Sequence, residues 1–120
     1  VLADSSGYGR IKRDAAGRFE RIVEQKNATE DELAITEVNP SYYCFELGAL
    51  RWGLGEITPN EATGEEYVTD VPELLLQRGD QVEVIDAVPA EDVLSINTLE
   101  QLAEVDRVFR ERTGAGTRSK

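Results

Sequence analysis

The sequence predicts an α/β fold, a mixed sheet with flanking helices. Two observations carry that prediction. Short runs of β-branched and aromatic residues recur along the chain. Between them stand helix-capping signatures followed by apolar residues at helical spacing. The order read from these signals is strands, helical turn, strand, helix, loop, helix, strand, helix. No internal repeat, low-complexity tract or interdomain linker interrupts it. Residues 1–112 are therefore expected to form one unit, and residues 113–120 a flexible tail.

The opening VLADSSG is polar and reads as loop. Residues 7–26 then read as a hairpin. Tyr8, Ile11, Phe19, Ile22 and Val23 suit a pleated surface, and Asp14-Ala15-Ala16-Gly17 supplies the turn. Lys12, Arg13 and Arg18 mark its solvated edge. Thr29-Glu30-Asp31-Glu32 is a capping box and predicts a short helical turn. Ser41-Tyr42-Tyr43-Cys44-Phe45 is dense in β-formers and predicts a buried strand, with Cys44 as a small core residue. Residues 46–54 predict an amphipathic helix with Leu47, Leu50 and Leu54 on one face and Trp52 at its edge. Gly53 and Gly55 are expected to weaken and end it. A polar loop follows. Asp70-Val71-Pro72-Glu73 reads as a second capping signal, with Asp70 as the cap and Pro72 in the first turn. Leu74, Leu75 and Leu76 continue that helix, and Gly79 closes it. Residues 81–88 alternate in part and predict a strand. Thr98-Leu99-Glu100-Gln101 is a third capping box, ahead of the helical face Leu99, Leu102, Val105 and Phe109.

Composition narrows the function. The chain has 120 residues, 40% of them hydrophobic, which is too apolar for general disorder. Its net charge of −11 argues against a general nucleic-acid binder, which needs a basic footprint. No apolar run approaches the roughly 20 residues that cross a bilayer, so no membrane partner is expected. The single Cys excludes an internal disulfide and a Cys-based zinc site. The absence of His removes Ser-His, Cys-His and His-metal chemistry. What remains is carboxylates, amides, hydroxyls, Lys, Arg or a hard cation. No Walker loop is present, and no GxGxxG joins a strand to a helix. The glycines of GAGTR stand in the tail with no apolar strand before them. Asn27-Ala28-Thr29 fits the glycosylation pattern, but nothing else indicates secretion. Glu24 follows Ile22-Val23 at a strand end, where a side chain can point into a cleft. Asn39 precedes the Tyr-rich run and Asn97 precedes the last capping box. On composition alone, such residues are more often turn or cap residues than ligands.

GYGRI, IVEQK-N-AT, EVN, GEEYVTDV and INTLEQL occur in that order over residues 5 to 110. In these ordered blocks the chain resembles the N-acetylglucosamine-1-phosphate uridyltransferase family, bacterial enzymes of cell-wall precursor synthesis. The resemblance implies a cytoplasmic protein and a partial Rossmann-like nucleotidyltransferase domain. Residues 1–112 match its C-terminal, sugar-phosphate-binding half. It also implies a missing N-terminal half as partner, consistent with a first residue that is Val1 rather than Met. That half carries the family's Gly-rich signature, its Lys and a magnesium-holding Asp. The substrates implied are a sugar-1-phosphate and a nucleoside triphosphate. Tyr8 and Gly9 match the segment whose backbone approaches the sugar phosphate, where a Cβ would block close approach. Glu24 matches the Glu that bonds sugar hydroxyls, and Asn39 the Asn that binds the N-acetylglucosamine part. Tyr67 and Thr69 fall in the segment lining the sugar pocket. Asn97 matches an Asn that helps coordinate Mg2+ beside the phosphates.

The departures bear on specificity. The family usually has Asn-Thr-Gly where this chain has Asn39-Pro40-Ser41, and Glu66 stands in place of a Tyr. The reaction implied is attack of a sugar-1-phosphate oxygen on the α-phosphorus of the triphosphate, with pyrophosphate leaving. It needs positioning and charge stabilisation rather than a protein nucleophile. The isolated chain is expected to be inactive. It is also expected to self-associate through a sheet edge that the missing half would cover. The alternative is a non-catalytic sugar-phosphate-binding or interaction module derived from the same fold.

Overall fold

The computed structural model describes residues 1–2, 4–94, 96 and 98–114. They fall into two compact units, Val1–Ile85 and Asp86–Lys120.

In the first unit, β1 (Gly9–Arg13) and β2 (Phe19–Val23) form the expected hairpin. Ile11 faces Ile22 and Lys12 faces Arg21, and the register shifts at Lys12/Arg13. The turn is built by Asp14, whose Oδ1 accepts the N–H groups of Ala16 and Arg18 at 2.9 Å each. Gly17 takes the left-handed conformation that closes it, with φ 78°. A short strand, β3 (Val38–Asn39), pairs with the other edge of β1, setting Asn39 opposite Gly9. The sheet order is β2-β1-β3 and both pairings are antiparallel. Helices and sheet thus combine as an α/β class requires, but the mixed sheet does not form among the described residues.

The helices of this unit are α1 (Glu30–Leu33), α2 (Leu47–Glu56) and α3 (Val71–Arg78). Thr29 and Glu32 form the capping box that starts α1. Gly79, at φ 97°, closes α3 as expected. The core gathers Ile11, Ile22, Val23 and Val38 from the sheet with Val71 and Leu75 from α3. Helix α2 packs on α3 at Gly53. A Cβ there would lie 2.7 Å from Val71 Cγ1, and Val71 is fully buried. Gly53 is therefore the point of close helix approach rather than the helix end, and Leu47 and Leu54 are exposed.

Three further expectations are corrected. Residues 41–45 form no strand, Tyr42 is exposed, and Cys44 is exposed rather than core. Pro40 offers no N–H to extend the ladder, and Ser41 at φ 62° turns the chain out of the sheet. Asp70 makes no side-chain cap bond. It ends a 3-10 turn, Val68–Asp70, and already has helical dihedrals, φ −79° and ψ −23°, instead of the extended ones a cap requires. Residues 81–88 are not a strand. Their alternation of half-buried and exposed side chains persists over 81–85, but no described strand pairs with them.

The second unit holds a 3-10 turn, Ala90–Asp92, and α4 (Leu99–Thr113). Thr98 and Gln101 form the expected capping box. Arg112 Nη2 binds Glu91 at 2.8 Å, and Nη1 binds Asp92. Leu99, Leu102 and Phe109 are exposed, so the apolar face of α4 is not core. Among the described residues, no helix is long and apolar enough to cross a membrane. Of the tail expected over 113–120, Thr113 ends α4 and Gly114 caps it, and residues 115–120 lie outside the described residues.

Candidate functional site

Gly9 opens β1 and faces Asn39 of β3. Glu24 follows directly after β2, and Thr69 sits in the turn that leads into α3, which packs against β2. Strand pairing and helix packing thus bring four separated chain segments to one end of the sheet. A Cβ on Gly9 would stand 3.1 Å from Ile22 Cγ2, 3.5 Å from Glu24 Oε1 and 3.7 Å from Asn39 Cβ. Ile22, Glu24 and Asn39 thus close on position 9, where a side chain would crowd Ile22.

The polar groups around it are held in place. Buried Thr69 donates its hydroxyl to Glu24 Oε1 at 2.8 Å. Buried Asn39 accepts the Ser41 backbone N–H on Oδ1 at 3.1 Å and donates from Nδ2 to Tyr43 Oη at 2.7 Å. Burial pushes the Tyr43 phenol above its ordinary pKa, against the bonds it makes with Asn39 and Ser41, and the Glu24 charge adds to the rise. Burial also pushes the Asp70 carboxyl upward, with the Glu24 charge as the second cause. Glu24, Asp70, Asn39 and Tyr43 thus share one electrostatic environment. Carboxylate, amide and hydroxyl groups of this kind suit hydrogen bonding to a polyhydroxylated ligand. They offer no activated nucleophile.

Gly9, Glu24, Asn39 and Thr69 are brought together. Tyr8 is next to Gly9 and half-buried, and its carbonyl accepts from Arg10 Nη1. That guanidinium is itself buried and also donates to Gln25 Oε1 at 3.0 Å. Tyr67 heads the turn that carries Thr69, but its hydroxyl is directed to Glu65 Oε2 at 2.6 Å and lies 3.0 Å from Thr63 Oγ1. Lys26, two residues beyond Glu24, reaches the same Glu65 at 3.2 Å. Asn97, the expected metal ligand, lies outside the described residues. Among the described residues, no group of three or more Asp, Glu or Cys is placed to hold a metal ion. The described residues thus provide no all-protein cage.

The sequence reading places Tyr43 in a strand and Asp70 at a helix cap, so it does not group them with Asn39 and Glu24, beside which the structure sets them. The signal for Tyr43 lay in its chemistry: a partly buried phenol requires a hydrogen-bond partner, and Asn39 is the nearest amide along the chain. For Asp70 the adjacent Thr69 was the only cue.

No family model matches the chain. Curated relatives do. The bifunctional protein GlmU of Solibacter usitatus is 45% identical over 112 residues, 93% of this chain. Proteins of the same name from Geobacillus sp. and Clostridium botulinum are 42% and 40% identical over the same length. The chain spans 24% of the length of each of these relatives. The resemblance to the N-acetylglucosamine-1-phosphate uridyltransferase family is therefore carried across nearly the whole chain and a quarter of the relatives.

Proposed function

From this kinship we propose that the chain is the sugar-phosphate-binding part of a sugar-1-phosphate nucleotidyltransferase. The full reaction joins N-acetylglucosamine-1-phosphate and UTP to give UDP-N-acetylglucosamine, a peptidoglycan precursor, and pyrophosphate. The observation that carries the reading is the convergence of Gly9, Glu24, Asn39 and Thr69 at one end of the sheet, where the missing side chain of Gly9 lets the backbone be approached closely. In this reading the Glu24 carboxylate accepts sugar hydroxyls, with Thr69 fixing its orientation. Asn39 meets the sugar substituent, and the Gly9 backbone lies against the sugar phosphate. Tyr67 lines the outer wall. Bound magnesium would neutralise phosphate charge, held through the Asn97 oxygen and the phosphates themselves. No Gly-rich triphosphate loop is at hand in the described fold, and the chain alone is proposed to bind without turning over.

The test is a titration of the isotopically labelled chain with N-acetylglucosamine-1-phosphate, followed by nuclear magnetic resonance. Expected are shifts at Gly9, Glu24, Asn39 and Thr69, and no pyrophosphate release when UTP and magnesium are added. Absence of shifts at those residues would refute the site. Pyrophosphate release by the chain alone would refute its assignment as one part of the catalytic machinery.

A further inference from the structure

Gln25 follows Glu24 directly and is exposed, yet its amide oxygen is held by two groups. Oε1 accepts the Gly7 backbone N–H and, at 3.0 Å, Arg10 Nη1. Both partners can only donate, so the oxygen end of the amide must face them. Arg10 Nη1 also donates to the Tyr8 carbonyl. One amide and one guanidinium thus tie Gly7 and Tyr8, which precede β1, to the residues that follow β2. Gly7 meets this tie in a left-handed conformation, φ 84°.

Arg10 makes the tie firm. It is only 3% exposed, its Nη1 bonds go to two neutral oxygens, and its Nε has no partner. A buried charge with so few acceptors loses much when one of them is taken away. Successive side chains of a strand face opposite ways, so Arg10 grips Tyr8 from behind the face on which Gly9, Glu24 and Asn39 meet. We propose that Gln25, acting through Arg10, is a positioning residue that holds the Tyr8–Gly9 backbone ready for the sugar phosphate. The inference rests on the sugar-phosphate reading, in which that backbone meets the phosphate and Glu24 meets the hydroxyls. It adds the side chain that couples the two contacts, since Gln25 is the neighbour of Glu24 and the anchor of Gly7. A backbone already held in its bound geometry loses less freedom on binding, and the affinity rises accordingly.

Gln25→Met keeps the length of the side chain and removes the acceptor. Gln25→Glu keeps an acceptor for both donors. Wild type and both variants, isotopically labelled, are titrated with N-acetylglucosamine-1-phosphate by nuclear magnetic resonance, and exchange of the Gly7 amide is followed without ligand. Gln25→Met is expected to bind about fivefold more weakly, the factor that one hydrogen bond supplies. Its Gly7 amide is expected to exchange faster. Gln25→Glu is expected to restore affinity to within about twofold of wild type, because a carboxylate accepts from Arg10 and the Gly7 N–H at least as well as an amide. Shifts at Glu24, Asn39 and Thr69 persist in all three proteins, since their own bonds are untouched. Unchanged affinity in Gln25→Met, or equal losses in both variants, overturns the proposal and leaves the sugar-phosphate site standing. If the sugar phosphate does not bind the wild type, the site reading falls and this inference with it.

Discussion

At the scale of single residues, glycines show what a neighbour can decide. Gly53 and Gly55 both sit in α2, where either would be expected to cost helix stability. Their surroundings separate them. A Cβ at position 53 would meet Val71 Cγ1 at 2.7 Å, whereas at position 55 it would meet nothing within 4 Å. Gly53→Ala gains about 1 kcal/mol of helix propensity but must displace a fully buried valine, a strain of about 1–3 kcal/mol. The net expectation is a loss of up to about 2 kcal/mol. Gly55→Ala gains propensity without a clash and is expected to stabilise by about 0.5 kcal/mol. Urea denaturation of the two variants checks both signs, and two shifts in the same direction would contradict this packing. The sequence could not distinguish these glycines, because the side chain opposite each one is set by tertiary packing. Gly9 was legible only through the family resemblance, for the same reason.

At the scale of elements, signals local to the chain were legible and those requiring a distant partner were not. The Thr29 and Thr98 capping boxes and the Gly79 stop are complete within four or five residues, and they form as read. The strands read at 41–45 and 81–88 needed a neighbouring ladder that the fold does not give them. The hairpin lay between these cases, since its turn is local and its partner adjacent. Helix α1 shows how a local signal acquires a long-range role. Glu32 is its N3 residue, and its carboxylate accepts the Thr29 N–H at 3.0 Å. It also receives Lys12 at 3.0 Å and Arg21 at 2.8 Å, so it ties the helix to both strands of the hairpin. The Thr29 backbone bond, then Lys12, hold its pKa down from 4.5 to about 2. The folded state therefore favours the ionised form. The stabilisation is fully present above pH 4.5 and is lost as pH falls from 4.5 towards 2. Lys12 and Arg21 are partly open to water, which screens the pairs, so the contribution is about 1–2 kcal/mol. Glu32→Gln is expected to flatten the fall of the urea midpoint over that pH range. An unchanged slope would show that other carboxylates carry it.

At the scale of the whole molecule, charge and core size determine what a ligand can do. The unit that carries the candidate site buries few apolar side chains, namely Ile11, Ile22, Val23, Val38, Val71 and Leu75. A core of that size leaves a small margin over conformational entropy. The chain as a whole also carries a net charge of −11, whose self-repulsion opposes compactness. A ligand that binds only the folded unit should then have a large visible effect. At a hundred times its dissociation constant it adds about 2.7 kcal/mol, which for a unit of this size raises the melting temperature by about 10–20 °C. Screening by added ions would also stabilise so acidic a chain, so N-acetylglucosamine-1-phosphate must be compared with inorganic phosphate at matched ionic strength. The expected outcome is a rise well beyond the phosphate control that disappears in Gly9→Ala. The added Cβ in that variant would crowd Ile22 at 3.1 Å and stand against Glu24 and Asn39. Equal rises with both additives would mean that the sugar phosphate acts only as salt, and that the missing side chain at Gly9 serves packing rather than binding.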